Sequence, residues 1–303
     1  MDLLEAFPTE QACVQYLINV RHNVKMHCPH CNNSKVYAFK DGKTFKCAEC
    51  KKRFSARVGS IFQDSNIPLK QWFMAIYLIT NHKKGISSVQ LSKDIGVTQK
   101  SAWFMLHRLR HANKTNSFEF QGTVEADECY IGGSESNKHT KDKFKSEKAV
   151  VFGLVERETK QAKSFVVENA DKENLLPKIG CNVKAGANVI TDSYHAYNDL
   201  RNNYKHKSVK HSANEYVRNE LDINGRVAFQ VHTNTVEGFW SIVKRTVNGT
   251  HHWISKKHTN RYLNDMTFRY NQRQLNSQNK FDVFTSSFDG RLKYIELTKS
   301  KGV

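Results

Sequence analysis

Phe120–Gly133, FQGTVEADECYIGG, is the stretch on which the fold turns. It has the form of a strand ending at a Gly-Gly turn. Under period-2 alternation Val124, Ala126, Glu128 and Tyr130 share one face, and Thr123, Glu125, Asp127 and Cys129 share the other. Acids oppose β propensity, and one in mid-strand ordinarily marks an exposed edge. Asp127 has a second reading, as one member of a converging set of carboxylates, because two further acids follow in contexts that suit one. Glu125 shares its face and is either a supporting acid of that set or a surface acid.

Ala187–Ser193 (ANVITDS) is a β-branched run closing on Asp192, with a helix-like segment from Tyr194 to Tyr204 after it. A carboxylate at the C-terminal tip of a strand lies where α/β sheets hold their ligands. The local alternative is an N-cap for the following helix. Asn234–Asn248 (NTVEGFWSIVKRTVN) sets Val236, Phe239, Trp240, Val243 and Val247 on an apolar stripe at helical spacing. Glu237, Ser241, Lys244 and Asn248 line the other side. Glu237 and Lys244 are seven residues apart, two turns, so both can face one site; a solvated polar face is the alternative.

Toward the N-terminus, Cys28-x-x-Cys31 and Cys47-x-x-Cys50 are separated by fifteen residues. Four thiolates in two knuckles suit one tetrahedral Zn²⁺, and the strand-like VYAF and TFKC flank a hairpin signal at Asp41-Gly42. Pro68 suits the first turn of a helix running to about His82. SSVQLSKDIGVTQKSAWFMLHRLRHA then has the form of a helix-turn-helix, with Gly96 at the turn and Thr98 as cap of the second helix. In that motif Gln99, Lys100 and Ser101 would read the major groove, while His107, Arg108 and Arg110 would touch phosphate. A helical bundle without DNA contact is the alternative.

The chain has 303 residues, 47 Lys+Arg against 29 Asp+Glu, a formal charge of +18 and a pI near 9.5. Such an excess points to a polyanion, most simply nucleic acid. No apolar run approaches the length of a membrane span, and the acidic start MDLLEAFPTEQ lacks the order of a signal peptide. A cytoplasmic protein without a membrane partner is expected. Between Asn203 and Arg218, Lys205, His206, Lys207, Lys210, His211 and Arg218 form a basic stretch suited to tracking a DNA backbone, or a solvated loop.

The order strand Asp, strand-end Asp, helix Glu with a Lys two turns on resembles the DDE core of transposases. The words EADECYIGG, TDSYHAYNDL, HTNTVEGFWSIVKR and GTHHWISKKHTNRYLNDMTFRYNQR, behind a zinc ribbon, together resemble the IS1595 family (ISXO2-like) of bacterial insertion-sequence transposases. The likeness runs from about residue 10 to residue 275. It implies an α+β multidomain chain: a helical lead-in over 1–25, the zinc ribbon over 26–56, a helix-turn-helix region over 66–115, a ribonuclease H-like mixed-sheet domain over 118–275 and a polar peripheral tail over 276–303. It also implies two catalytic Mg²⁺ or Mn²⁺ ions, with Asp127 bridging both and Asp192 and Glu237 each holding one. Lys244 would hold a phosphate near the cut, with Arg245 beside it on DNA. Some members of the family have Asn or His as the third ligand. Asn234 lies one turn before Glu237, which is preferred for its relation to Lys244. The expected partners are double-stranded terminal inverted repeats and target DNA, bound by a homodimer or higher oligomer. A catalytically silent DNA-binding protein and a nuclease without strand transfer are the competing classes.

Overall fold

The computed structural model describes residues 2–22, 25–113, 118–132, 148–286 and 288–299. The polar, lysine-rich stretch from Ser134 to Lys148 in the sequence lies, up to residue 147, outside the described residues. The chain forms two compact units, one from Met1–Lys114 with Gln274–Val303 and one from Thr115–Arg273.

The first unit begins with α1 (Leu3–Ala6) and α2 (Glu10–His22). A three-stranded antiparallel ribbon follows: β1 (Val36–Ala38), β2 (Thr44–Cys47) and β3 (Arg53–Ser55), in that order. Then come α3 (Leu69–Asn81), α4 (Ser88–Ile95) and α5 (Gln99–Ala112). Pro68 precedes α3 and cannot cap it with its side chain. Glu10 does so from α2: its carboxylate accepts from Leu69 N at 2.8 Å and Lys70 N at 3.1 Å, satisfying donors that the first turn leaves open. Between α4 and α5, Gly96 takes the left-handed conformation (φ +67°) that glycine adopts without strain, and Thr98 caps α5 by accepting from Ser101 N.

The C-terminal segment is not a peripheral tail. It forms the helices Ser277–Thr285 and Tyr294–Thr298, and Phe281, Phe284, Phe288, Leu292 and Leu297 are buried. Phe281 meets Phe7 and Phe73 with ring centroids 5.6 Å apart in both cases, and Phe288 meets Phe62 at 4.8 Å. Five buried apolar residues spaced among polar ones complete a core built by the first hundred residues, so the segment's polar composition misleads.

The second unit is a mixed sheet. Its strands are β4 (Thr123–Ile131), β5 (Ala149–Glu156) and β6 (Ala162–Val167), then, after α6 (Lys172–Gly180), β7 (Asn188–Asp192) and β8 (Lys205–Val209). The order is β6-β5-β4-β7-β8, antiparallel on the β6-β5-β4 side and parallel for β4-β7-β8. A 3₁₀ helix, His195–Asn202, replaces the expected helix after Asp192. The first part of the basic stretch, Lys205–Val209, is an edge strand, and Lys210 is exposed just beyond it; edges tolerate charged side chains because pairing with β7 uses only backbone. A separate hairpin, β9 (Arg218–Leu221) and β10 (Val227–Val231), leads into α7 (Asn234–Thr246), and α8 (Thr259–Asn271) follows.

Period-2 alternation in β4 splits the core. Val124 and Ala126 pack with Leu175, Ile179 and Tyr197 on one face of the sheet. Cys129 and Ile131 pack with Val236, Phe239, Trp240 and Val243 of α7 on the other. Gly153 on β5 pairs with Asp127, and a Cβ there would fall 2.5 Å from Trp240 Cζ2. Glycine at this position is what lets α7 lie close over the strand that carries Asp127. On α8, Arg269 is buried against Asp265 at 3.2 Å and adds no surface charge. No helix among the described residues is long and apolar enough to cross a membrane.

Candidate active site and metal centre

The β4–β7 register brings two of the three acids together. The parallel pairing runs Thr123↔Asn188, Val124↔Val189, Glu125↔Ile190. The next residues in the same phase are Asp127 and Asp192, on strands about 4.8 Å apart. Asp192 closes β7, and one of its oxygens accepts from Tyr194 N at 3.0 Å, so the local capping role and the site role coexist. Burial, then the charges of Glu128, Asp192 and Glu237, push the Asp127 carboxyl up to about 7. Anions gathered this closely are a field that a divalent cation relieves.

Glu237 and Lys244 project from the exposed side of α7, whose stripe Val236, Phe239, Trp240 and Val243 is buried as the spacing predicts. Glu237 Oε1 accepts from Thr233 Oγ1 at 2.8 Å and lies 3.4 Å from His211 Nε2. Lys244 comes within hydrogen-bonding reach of the Cys129 thiol, two residues along β4 from Asp127. Asn234 and Arg245 are exposed on the same helix, and Arg245 Nε donates to Ser241 O.

Glu125 is neither a surface acid nor placed as a ligand. It is fully buried, and it accepts from Arg157 Nε at 2.6 Å, Thr235 N at 2.7 Å, Thr235 Oγ1 at 2.8 Å and Val236 N at 3.0 Å. Arg157 in turn donates to Gln230 O and His232 O. Glu125 therefore clamps the first turn of α7 to β4, two residues from Asp127. Glu128, on the opposite strand face, accepts from the buried Tyr197 hydroxyl at 2.5 Å; burial raises its pKa. Sequence reasoning passed over Arg157 and Thr233, which have no local signature, and took His211 only as part of a basic stretch. The doubled acid in EADE was the one available signal for Glu128.

In the ribbon, Cys28 and Cys50 sulfurs lie 3.6 Å apart, and Cys31 and Cys47 sulfurs 3.5 Å apart. All four fall within 4.8 Å of one another, and none is in a disulfide. The two knuckles repeat one geometry. Each CxxC is followed by a left-handed residue, Asn32 or Lys51, and each first cysteine donates its N–H five residues on, to Asn33 O or Lys52 O. The site fits a structural Zn²⁺. Among the described residues, Cys28, Cys31, Cys47 and Cys50 form the group of three or more candidate ligands that closes to 4.8 Å.

The expected DNA contacts divide. Gln99 and Lys100 are exposed at the start of α5, with Ser101 partly so. Gln99 donates to Ser88 Oγ, and Lys100 stands 5.2 Å from the Tyr294 ring centre. Arg108 does not face solvent. It is 4% exposed and donates to Ile61 O, Gln63 O and Leu292 O; His107 and Arg110 are also buried. The apolar stripe of α5 turns all three inward, where remote carbonyls satisfy the Arg108 guanidinium. Lys205 and Lys210 are exposed, whereas Lys207 pairs with Glu220 and lies over the Phe229 ring.

Two family models match. The transposase zinc-ribbon domain covers residues 8–53, and the ISXO2-like transposase domain covers residues 119–271. An uncharacterized protein in transposable element ISH50 of Halobacterium salinarum is 24% identical over 284 residues, 88% of this chain and 92% of the relative. An uncharacterized transposase-like protein of Haemophilus influenzae is 30% identical over 119 residues, 38% of this chain and 85% of the relative. The larger matched segment spans every strand of the mixed sheet, the helix over it and all three acids, and by that match the chain belongs to the ISXO2-like transposase family.

Proposed function

We propose that the protein cleaves DNA at the ends of an insertion sequence and joins the freed 3′-OH ends to target DNA. The observation that carries this reading is the acid set. Asp127 and Asp192 share phase on neighbouring parallel strands, and Glu237 and Lys244 lie on the helix packed over them. The strand order, three antiparallel strands continued by two parallel ones, supports a ribonuclease H-like core. A pair of Mg²⁺ or Mn²⁺ ions would activate the attacking oxygen and stabilise the leaving one. Asp127, Asp192 and Glu237 would hold those ions through hard oxygen donors suited to them.

Water attacks first: its oxygen bonds to phosphorus as the bond to the 3′ oxygen breaks, leaving a 5′-phosphate and a free 3′-OH; that 3′-OH then attacks a target phosphodiester and displaces the target's own 3′ oxygen. Lys244 holds a phosphate beside the cut. Arg245, Lys205 and Lys210 follow the backbone. Gln99, Lys100 and Ser101 open α5 as the reading end of a helix-turn-helix. Two ends must be held together, so a homodimer or higher oligomer on DNA is part of the proposal.

The test is Asp127→Asn with duplexes drawn from the DNA flanking the gene. Cleavage and joining should fall by orders of magnitude while binding persists, since the anion is lost and the shape is kept. Asn234→Ala should be milder than Glu237→Gln, and the reverse order would move the third ligand to Asn234. Cleavage without joining would make the protein a nuclease. Undiminished joining by Asp127→Asn would end the proposal.

A further inference from the structure

The β9–β10 hairpin has two unlike faces. Glu220 and Phe229 are paired across it and turn toward the sheet, where Lys207 meets both and Phe229 packs against Ile190, Val209 and Val231. The opposite face carries two other cross-strand pairs, Leu221↔Val227 and Asn219↔Gln230. Leu221 is 61% and Val227 51% exposed, and Ile223 at the tip is 102% exposed. The Gln230 amide donates to Asn219 Oδ1 at 3.1 Å. An aliphatic tip this open opposes the hydrophobic effect and marks a contact surface.

The base of the hairpin is tied to the candidate site. Arg157, paired with Glu125, donates to Gln230 O and His232 O, and β10 runs directly into α7. β10 itself is five residues, roughly 13 Å, long, and the 222–226 turn carries Ile223 past the end of it remote from α7.

We infer that this hairpin is a β-ribbon that enters a groove of the DNA held at the acid site, with Ile223 wedged into a base step. The inference rests on the proposed function. The chemistry matches what minor-groove binders use: side-chain amides facing base edges, an aliphatic wedge, and cations for the adjoining phosphates. Asn219 and Gln230 supply the amides, and exposed Arg226, Lys205 and Lys210 the cations. The formal charge of +18 favours a polyanion over a second copy of the same cationic chain. Three aliphatic side chains on a two-stranded ribbon also cover far less than the ~1,600 Å² of a stable protein interface. Unstacking beside the acids would free the scissile strand from duplex geometry.

The experiment uses the full chain and duplexes from the gene's flanking DNA, with 2-aminopurine placed singly at each of the last six or so base steps, in Ca²⁺ to prevent cleavage. Binding should raise 2-aminopurine fluorescence severalfold at one or two adjacent steps. Ile223→Ala and Ile223→Asp should abolish that rise. Affinity in Ile223→Ala should stay within about threefold, because Ile223 makes no phosphate contact. The tip is open to solvent, so neither change should disturb folding. Binding by the wild-type chain without any rise, or a rise kept in Ile223→Ala, would overturn the hairpin's role and leave the catalytic proposal standing. A change of oligomeric state on Ile223→Asp would assign the surface to a second copy and also overturn it. Failure of the wild-type chain to bind these duplexes at all would remove the catalytic reading and the inference together.

Discussion

Removing Glu125 should loosen α7 from the sheet. Glu125→Ala deletes a fully buried carboxylate that accepts four hydrogen bonds, two of them from backbone N–H groups at the start of α7. Breaking a buried ion pair from one side costs about 3–5 kcal/mol. Arg157 keeps its two carbonyl partners and is 18% exposed, so water relieves part of its charge and the lower end, ~3 kcal/mol, applies. The orphaned helix donors add about 1 kcal/mol, the usual cost of a lost cap. The expected total is about 4 kcal/mol. Glu125→Gln keeps the shape and loses the charge, so about 2 kcal/mol is expected, the range of hydrogen bonds to charged groups. Urea unfolding followed by circular dichroism measures the loss, and hydrogen exchange of peptides from Asn234–Thr246 locates it. Glu128→Gln, on the other strand face, is the charge control and should leave that exchange unchanged. A loss below about 1 kcal/mol for Glu125→Ala, or unaltered exchange in α7, would refute the clamp.

Three further outcomes follow from the geometry. The full chain should carry one zinc; Cys47→Ser should lose it and unfold the ribbon, and elemental analysis showing no zinc in the intact chain would contradict the site. Arg108→Ala should lower the melting temperature rather than shift DNA affinity selectively, since its guanidinium binds three carbonyls inside the first unit; Lys100→Ala should do the opposite, and band-shift and thermal measurements separate the two. Asp127 is raised from 3.8 to about 7, so the folded state holds its proton more tightly than the unfolded one, and without divalent ions stability falls as pH rises through that window. Asp127→Asn should flatten this fall and be more stable than wild type at pH 8 in chelator, as read from melting temperatures across pH.

The parts legible in the sequence are those whose physics acts within a few residues. The CxxC spacing places two sulfurs on each knuckle whatever surrounds it, so Cys28, Cys31, Cys47 and Cys50 were readable directly. Thr98 and Gly96 declare a cap and a turn because their partners lie within four residues. The stripe of α7 follows from 3.6-residue periodicity, and it sorted Glu237 and Lys244 onto the free side. Period-2 alternation likewise put Glu125 and Asp127 on one face of β4.

What separates those two acids is visible only in the folded chain. Glu125 meets Thr235 and Val236 from 110 residues away, and Arg157 from 32, while Asp127 meets the tip of β7. Nothing in EADE orders these roles, because the partners arrive by sheet register and helix docking. Arg108 gave the same misdirection: an arginine on a helix reads as a phosphate contact until carbonyls 45 to 184 residues distant claim it. The polar C-terminal segment read as a tail because its composition is polar; Phe281, Phe284, Phe288 and Leu292 recur at spacings of three and four, but the rings they pack against lie some two hundred residues upstream. Local spacing determined the zinc site, the elements and the faces of this protein. Tertiary contacts decided which charged side chains are structural and which remain free for chemistry, because a charge's role depends on what neutralises it, and those partners come from far along the chain.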